Sequence, residues 1–379
     1  MARVLRMEAA QSVVLAADLR EGVGAMSTAT AVRALLAQTT VAGGESELAC
    51  AGGKWLAARL RQGRALPERA RRGGAAGGGA AGAAGAAGAW LLTGGLGGLG
   101  LRAASLLAEE YPGALLLLSS RSGRVPRDGQ SLDAMLGKLS ATAHVLAADL
   151  GDAEAARALC CRGGPRLRGV LHAAGLLRDM MHTRMSADDV SSVFAPKACG
   201  AAHLHAATLH APLGAMVYYS SAASAFGSAG QANYAAANAY LDSLGGCRSA
   251  VGASAVCLQF PIVSGAGMGA ATFDKHVPAA LRGWVITLDQ YARCVHAALG
   301  GPEASPRYWR GACPNHTATM RLAIGTSPDK AAQKTAPEKA VAEGGGALAS
   351  SELGRDLAKL PQAELVRVRL GLGSGCRFG

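Results

Sequence analysis

The chain has 379 residues, of which 50% are apolar, enough to bury one sizeable α/β core with appendages. Its formal charge of +12 attracts anions of any kind, but with 4% aromatic residues and no interleaving of basic and aromatic side chains, a solvated basic surface is favoured over nucleic-acid binding. The nine cysteines include no C-x-x-C pair, and adjacent Cys160 and Cys161 are poorly placed to share a disulfide, so a reducing, cytoplasmic setting without a metal site is expected.

In chain order, the apolar run Val13 to Ala17 ends at Asp18, too short for a signal-peptide core or a membrane span. Glu8, Asp18 and Glu21 argue against an organellar transit peptide, which avoids acids, although the Arg- and Ala-rich start keeps that address open. Residues 73–89 are all Gly or Ala and read as a flexible linker that buries no core. A second linker is expected over 326–350, where Pro, Lys, Glu, Ala and Gly remove any apolar period.

Between the linkers, over 90–325, short apolar runs alternate with helical patterns. That order predicts a Rossmann-like, doubly wound parallel sheet of the α/β class. The expected strands are Ala89–Thr93, Ala114–Ser119, His144–Ala148, Arg168–His172, Ala215–Ser220 and Ser254–Phe260, with helices over Gly98–Glu110 and Ala187–His210. Right-handed crossovers put every strand's carboxyl end on one edge of the sheet, where function is expected.

The first strand runs into Thr93-Gly94-Gly95-Leu96-Gly97-Gly98-Leu99-Gly100, which contains G-x-G-x-x-G. Glycines at this spacing permit a tight turn and let backbone approach a pyrophosphate at the next helix N-terminus. In a chain with 52 glycines the motif alone is weak; its place between a strand and a helix strengthens it. The second strand ends at Ser119, Ser120 and Arg121. A guanidinium there suits a ribose 2′-phosphate, favouring NADPH over NADH, with an ordinary surface arginine as the alternative.

Further on, the strand ending at Ser220 leads to Ser221, and Tyr234 and Asn238 lie four apart in a helical run. They project from one helical face near Ser221, so a hydroxyl and a phenol can converge on one carbonyl oxygen. A tyrosine on a helix also reads as an amphipathic core residue.

With these residues in place, the chain resembles a short-chain dehydrogenase, specifically the β-ketoreductase domain of polyketide synthases, from about Trp90 to Gly301. The resemblance rests on the glycine turn, Ser120-Arg121, Ala148-Asp149-Leu150, and Leu171-His172-Ala173-Ala174-Gly175. It continues through Pro196-Lys197, Ser220 to Ser224, and Gly230 to Asn238. It implies a tetrad of Lys197, Ser221, Tyr234 and Asn238, with the Lys and Asn positions exchanged relative to the usual Y-x-x-x-K. Lys197 by itself would read as a solvated helix lysine. An ammonium beside Tyr234 is expected to lower the phenol's pKa and make it the better acid. The resemblance also assigns Asp149 and Leu150 to the adenine end, Ala173, Ala174 and Gly175 to a backbone wall, and Pro261 to the cofactor contacts. For Asp149 a helix cap or turn is an equal reading, and His172 is expected to be structural.

The implied activity is NADPH-dependent reduction of a β-ketoacyl thioester on an acyl carrier protein. The alternatives are a free-standing reductase of small ketones or acyl-coenzyme A, and a silent scaffold fragment. Residues 1–72 resemble only the final part of the family's N-terminal structural half, over Ser12 to Ala17, Thr28 to Gln38 and Glu45 to Leu60, with strand edges left to be covered. Gly265 to Gly269 and the segment after it resemble a substrate lid. The tail 351–379 resembles the start of a carrier domain, with a helix over Glu352 to Leu370. Leu177-Arg178-Asp179 stands where ketoreductases giving 3R products carry L-D-D, and Phe226 stands where the opposite class has Trp. Asp179 and Phe226 are therefore assigned to substrate facing and a 3R product.

Overall fold

Neighbouring residues in the central strands bury themselves on opposite sides. Trp90 and Leu92 enter one core cluster while Leu91 enters another; Leu116 and Leu118 oppose Leu117, and Val217 and Tyr219 oppose Met216 and Tyr218. A strand with two buried faces must be covered on both sides. The computed structural model describes residues 1–8, 16–19, 47–51, 54–57, 60–62, 88–126, 131–140, 142–268, 285–299, 319–321 and 366–368.

The chain opens with helix α1 (Ala2–Glu8), then strands β1 (Ala16–Leu19), β2 (Glu47–Ala51), β3 (Lys54–Ala57) and β4 (Leu60–Gln62). The main region follows as β5 (Ala89–Thr93), α2 (Gly98–Glu110), β6 (Leu115–Ser120), α3 (Leu132–Leu139), β7 (Ala143–Ala147), α4 (Ala153–Gly163) and β8 (Leu167–His172). Next come α5 (Ala187–Phe194), a π-helical turn at Ala195–Cys199, α6 (Gly200–Thr208), β9 (Ala215–Ser221), α7 (Ala222–Phe226), α8 (Ala232–Ala250) and β10 (Val256–Phe260). The last elements are β11 (Ile262–Val263), β12 (Val285–Ile286), α9 (Leu288–Ala298), β13 (Thr319–Arg321) and β14 (Val366–Val368).

The main sheet has the order β13-β10-β9-β8-β5-β6-β7, and each of its pairs is parallel. The α/β doubly wound class is thus the observed one. The order reverses at β5, with β6 on one side and β8 on the other, which opens a crevice at the carboxyl ends of β5 and β8. Helices α2, α3 and α9 cover one face and α4, α6 and α8 the other. At the β7 edge, His144 and Val145 are exposed, as a one-sided edge strand allows.

Several sequence expectations shift. Gly88, assigned to the linker, belongs to the fold, its carbonyl accepting from Leu115 N, while Ala89, where linker and strand expectations overlapped, is buried in β5. The helix expected over Ala187–His210 runs unbroken to Thr208 but takes one π-helical turn at Ala195–Cys199, where Gly200 N donates to Ala195 O, five residues back. Within the helix expected over Glu352–Leu370, Val366–Val368 is instead a strand, paired antiparallel with β4; two β-branched residues flanking Arg367 suit that alternation. In the N-terminal part, β1 pairs parallel with β2 and β2 antiparallel with β3. The helix expected over Thr28–Gln38 and the lid beyond Met268 lie outside the described residues. Among the described residues, no helix is long and apolar enough to cross a membrane.

Candidate active site

The glycine turn leaves β5 at the crevice. Gly94 adopts φ +67°, and a Cβ there would lie 2.7 Å from the Ala173 and Ala174 backbone, so the turn needs both left-handed backbone and bare contact with the next strand's exit. At Gly100 a Cβ would meet Gly94 O at 2.3 Å. Helix α2 is capped by Gly97 without a side-chain hydrogen bond, and its first turn holds no acid. Its leading amides therefore lack a side-chain cap, a fit for the phosphates of a dinucleotide. Leu96 is fully buried and Leu99 faces the adjoining cleft.

Other expected cofactor residues sit at neighbouring strand ends with unequal fit. Ser120 is half-buried and Arg121 exposed. Asp149 is also exposed, and its Oδ1 accepts from Gly151 N at 2.9 Å, so the turn role accounts for that oxygen. Leu150 turns its side chain into the core while its carbonyl accepts from His203 Nδ1 at 2.9 Å. Ala173, Ala174 and Gly175 follow β8 as the wall. Gly175 is packed by Lys197, whose Cε would stand 3.1 Å from an added Cβ.

A cleft of about 280 Å³ joins this edge, lined by Lys197, Ser221, Tyr234, Asp179, Phe226 and Pro261 among others. Ser221 ends β9 and caps α7, its Oγ accepting from Ala223 N at 3.2 Å. Asn238 lies behind the cleft. Its Nδ2 donates to Tyr234 O at 2.8 Å, one helical turn back, while its buried Oδ1 has no hydrogen-bond partner among the described residues. Such an orphaned acceptor is a seat for water or a cation.

The π turn delivers Lys197 to the interior, only 3% exposed, rather than to solvent. Its Nζ donates to Tyr219 O at 2.9 Å and sits 5.4 Å from the centroid of the Tyr234 ring. Burial lowers its pKa to about 8, with Asp242 opposing that shift. The expected lowering at Tyr234 is not found: burial raises the phenol, side-chain contacts from Asn238 and Ser221 pull it back, and the Asp179 charge adds to the rise. Desolvation thus outweighs the favourable contacts in the ligand-free site.

His172 is structural, as expected, and it carries more of the site than the sequence indicates. Its Nδ1 lies 2.8 Å from Thr93 Oγ1 and its Nε2 2.8 Å from Lys197 O. Because a carbonyl can only accept, Nε2 holds the proton and Nδ1 accepts from the threonine. One neutral ring therefore ties the glycine turn to the lysine turn, and burial holds its pKa at about 4.

The KR domain family model matches residues 88–265. The chain is 34% identical over 368 residues to polyketide synthase GfsA of Streptomyces halstedii, covering 94% of this chain and 5% of that one. It is 39% identical over 188 residues to the spectinabilin polyketide synthase system protein NorB of Streptomyces orinoci, covering 49% of this chain and 9% of the relative. Among solved structures, an A1-type ketoreductase is similar at 30% identity and TM-score 0.63, covering 80% of this chain and 61% of that one. The first ketoreductase of the tylosin polyketide synthase is similar at 28% identity and TM-score 0.60, covering 80% and 62%. The chain thus spans a small fraction of the curated synthases it matches.

Proposed function

The chain belongs, through residues 88–265, to the KR domain family, and from that premise we propose that it reduces the β-ketone of an acyl thioester held on a carrier protein, with NADPH as reductant. The observation that carries this reading is the convergence of Ser221, Tyr234 and Lys197 on one cleft beside the glycine turn. A reduced nicotinamide, when bound, supplies the hydride; the chain's own residues hold the ketone and supply the proton.

In this reading Ser221 Oγ and Tyr234 Oη donate to the substrate carbonyl oxygen and withdraw charge from it. Tyr234 then gives its phenolic proton to the oxygen as it becomes an alkoxide, breaking the O–H bond of the phenol and forming that of the product. With its pKa raised by burial rather than lowered, the phenol carries at neutral pH the proton that an acid must give. The buried Lys197 ammonium steadies the phenolate left behind, across 5.4 Å to the ring centroid. Asn238 Oδ1 offers the seat from which water returns the proton. Arg121, exposed at the end of β6, is assigned to the ribose 2′-phosphate.

The carrier protein enters because the cleft lining includes exposed Asp179 and half-buried Phe226, and because the relatives are polyketide synthases of which this chain spans a small fraction. Rates with a β-ketoacyl chain on a carrier protein, on coenzyme A and as a simple bicyclic ketone separate the readings. The proposal expects the carrier-bound chain to have the highest kcat/KM. Equal values for the coenzyme A ester would favour a free-standing reductase, and no turnover of any by folded protein would favour a scaffold.

A further inference from the structure

Helix α1 lies far from the glycine turn in sequence, yet it is seated beside the catalytic-type helix. Val4 is fully buried in a cluster with Ala223, Ala232 and Ala235, against which Tyr234 packs. Arg3 donates to Ser224 O at 2.5 Å, and Glu47 accepts from both Arg3 and Arg6, the latter at 2.6 Å. These contacts fix the helix so that its last residue, Glu8, enters the interior.

The Glu8 side chain has no exposed surface. Its Oε2 accepts from His182 N at 2.5 Å and from His182 Nδ1 at 2.7 Å, and its Oε1 accepts from Gly230 N at 2.7 Å. His182 belongs to the loop after β8 that carries Leu177 and Asp179. Gly230 belongs to the loop that carries Ser228 and Gln231. All four of those residues line the cleft. The two loops meet again where Met180 N donates to Gly230 O at 2.7 Å and Gln231 Nε2 to Asp179 Oδ2 at 3.0 Å. Glu8 bonds both loops from outside them, with one carboxylate oxygen for each.

We propose that Glu8 is a positioning residue that staples the two cleft-lining loops together and thereby sets how the acyl substrate is held. The proposal rests on the reductase reading for its kinetic consequence, but the staple itself does not. A charged acceptor whose side chain has no exposed surface depends on its donors. Loss of the carboxylate would leave two backbone amides without partners at the foot of the substrate wall. The glycine turn makes no contact with Glu8 among these bonds, so the nucleotide end should be indifferent to it.

The test uses the full chain, wild type, Glu8→Ala and the near-isosteric Glu8→Gln, with hydrogen exchange, NADPH affinity and steady-state kinetics. Glu8→Ala should speed exchange at the Gly230 and His182 amides by at least about tenfold. It should also raise KM for the acyl thioester about tenfold, with a smaller change in kcat and unchanged NADPH affinity. Glu8→Gln keeps a neutral acceptor and should fall between the two; if Glu8→Ala does not fold, Glu8→Gln is read alone. Unchanged exchange at both amides would overturn the staple. Faster exchange with unchanged KM, or equal losses in KM, kcat and NADPH affinity, would overturn the positioning role. A wild-type chain that shows the protected amides but no turnover would refute the reductase reading while leaving the staple standing.

Discussion

Acid should weaken this fold through His172. The ring is fully buried and neutral, and its pKa falls from the ordinary 6.5 to about 4. As pH drops below about 6.5 the unfolded chain takes up a proton that the native chain refuses, so stability is complete above that value and declines until about pH 4. At about 1.4 kcal/mol per pH unit, the loss amounts to on the order of 3 kcal/mol, a large part of an ordinary domain's stability. Urea unfolding of the wild type and of His172→Gln, at about pH 7 and about pH 4, measures it. Gln can still accept from Thr93 and donate to Lys197 O but does not titrate, and carboxylates common to both proteins cancel in the comparison. The wild type should lose about 3 kcal/mol more than the variant across that window. Parallel losses would refute the buried neutral tautomer and the link it makes between the glycine and lysine turns.

Gly100→Ala should weaken NADPH binding at least about tenfold and cost about 1–3 kcal/mol of stability, because the new methyl would meet Gly94 O at 2.3 Å and backbone cannot swing aside. Gly137→Ala, with nothing within 4 Å, serves as the control and should be neutral or stabilising by calorimetry. Arg121→Ala should raise the NADPH dissociation constant about ten- to a hundredfold and leave NADH nearly unchanged in fluorescence titration; equal losses would give Arg121 another role. Chiral chromatography of the hydroxyacyl product should show mainly the 3R isomer, from Asp179 and Phe226 on the cleft wall; a mainly 3S product would overturn that assignment.

The strands around the crevice were legible because both their faces are apolar and each is bounded by turn residues. Ala89–Thr93 is found with the expected bounds, and the others differ by one or two residues at one or both ends. The glycine turn was legible from its order between strand and helix. Lys197 was not legible as a buried group, since a π turn within a helical pattern has no sequence signature of its own. The phenol's shift at Tyr234 was expected in the wrong direction because burial, its largest cause, is a property of the assembled cleft. Helix α1 went unread for a similar reason. Its seven residues include one buried apolar residue, Val4, and a short helix with so little periodicity owes its existence to tertiary contacts. Glu8 looked like a mere argument against a transit peptide until its three donors were in view.

In the proposed reaction Tyr234 hands its phenolic proton to a ketone reduced by NADPH in this cleft. Following loss of reduced-nicotinamide absorbance with a β-ketoacyl thioester, for wild type and Tyr234→Phe, tests it most directly. The wild type should turn over, the variant should lose at least about a hundredfold in kcat, and both should have the same NADPH dissociation constant. Near-normal turnover by Tyr234→Phe would contradict it.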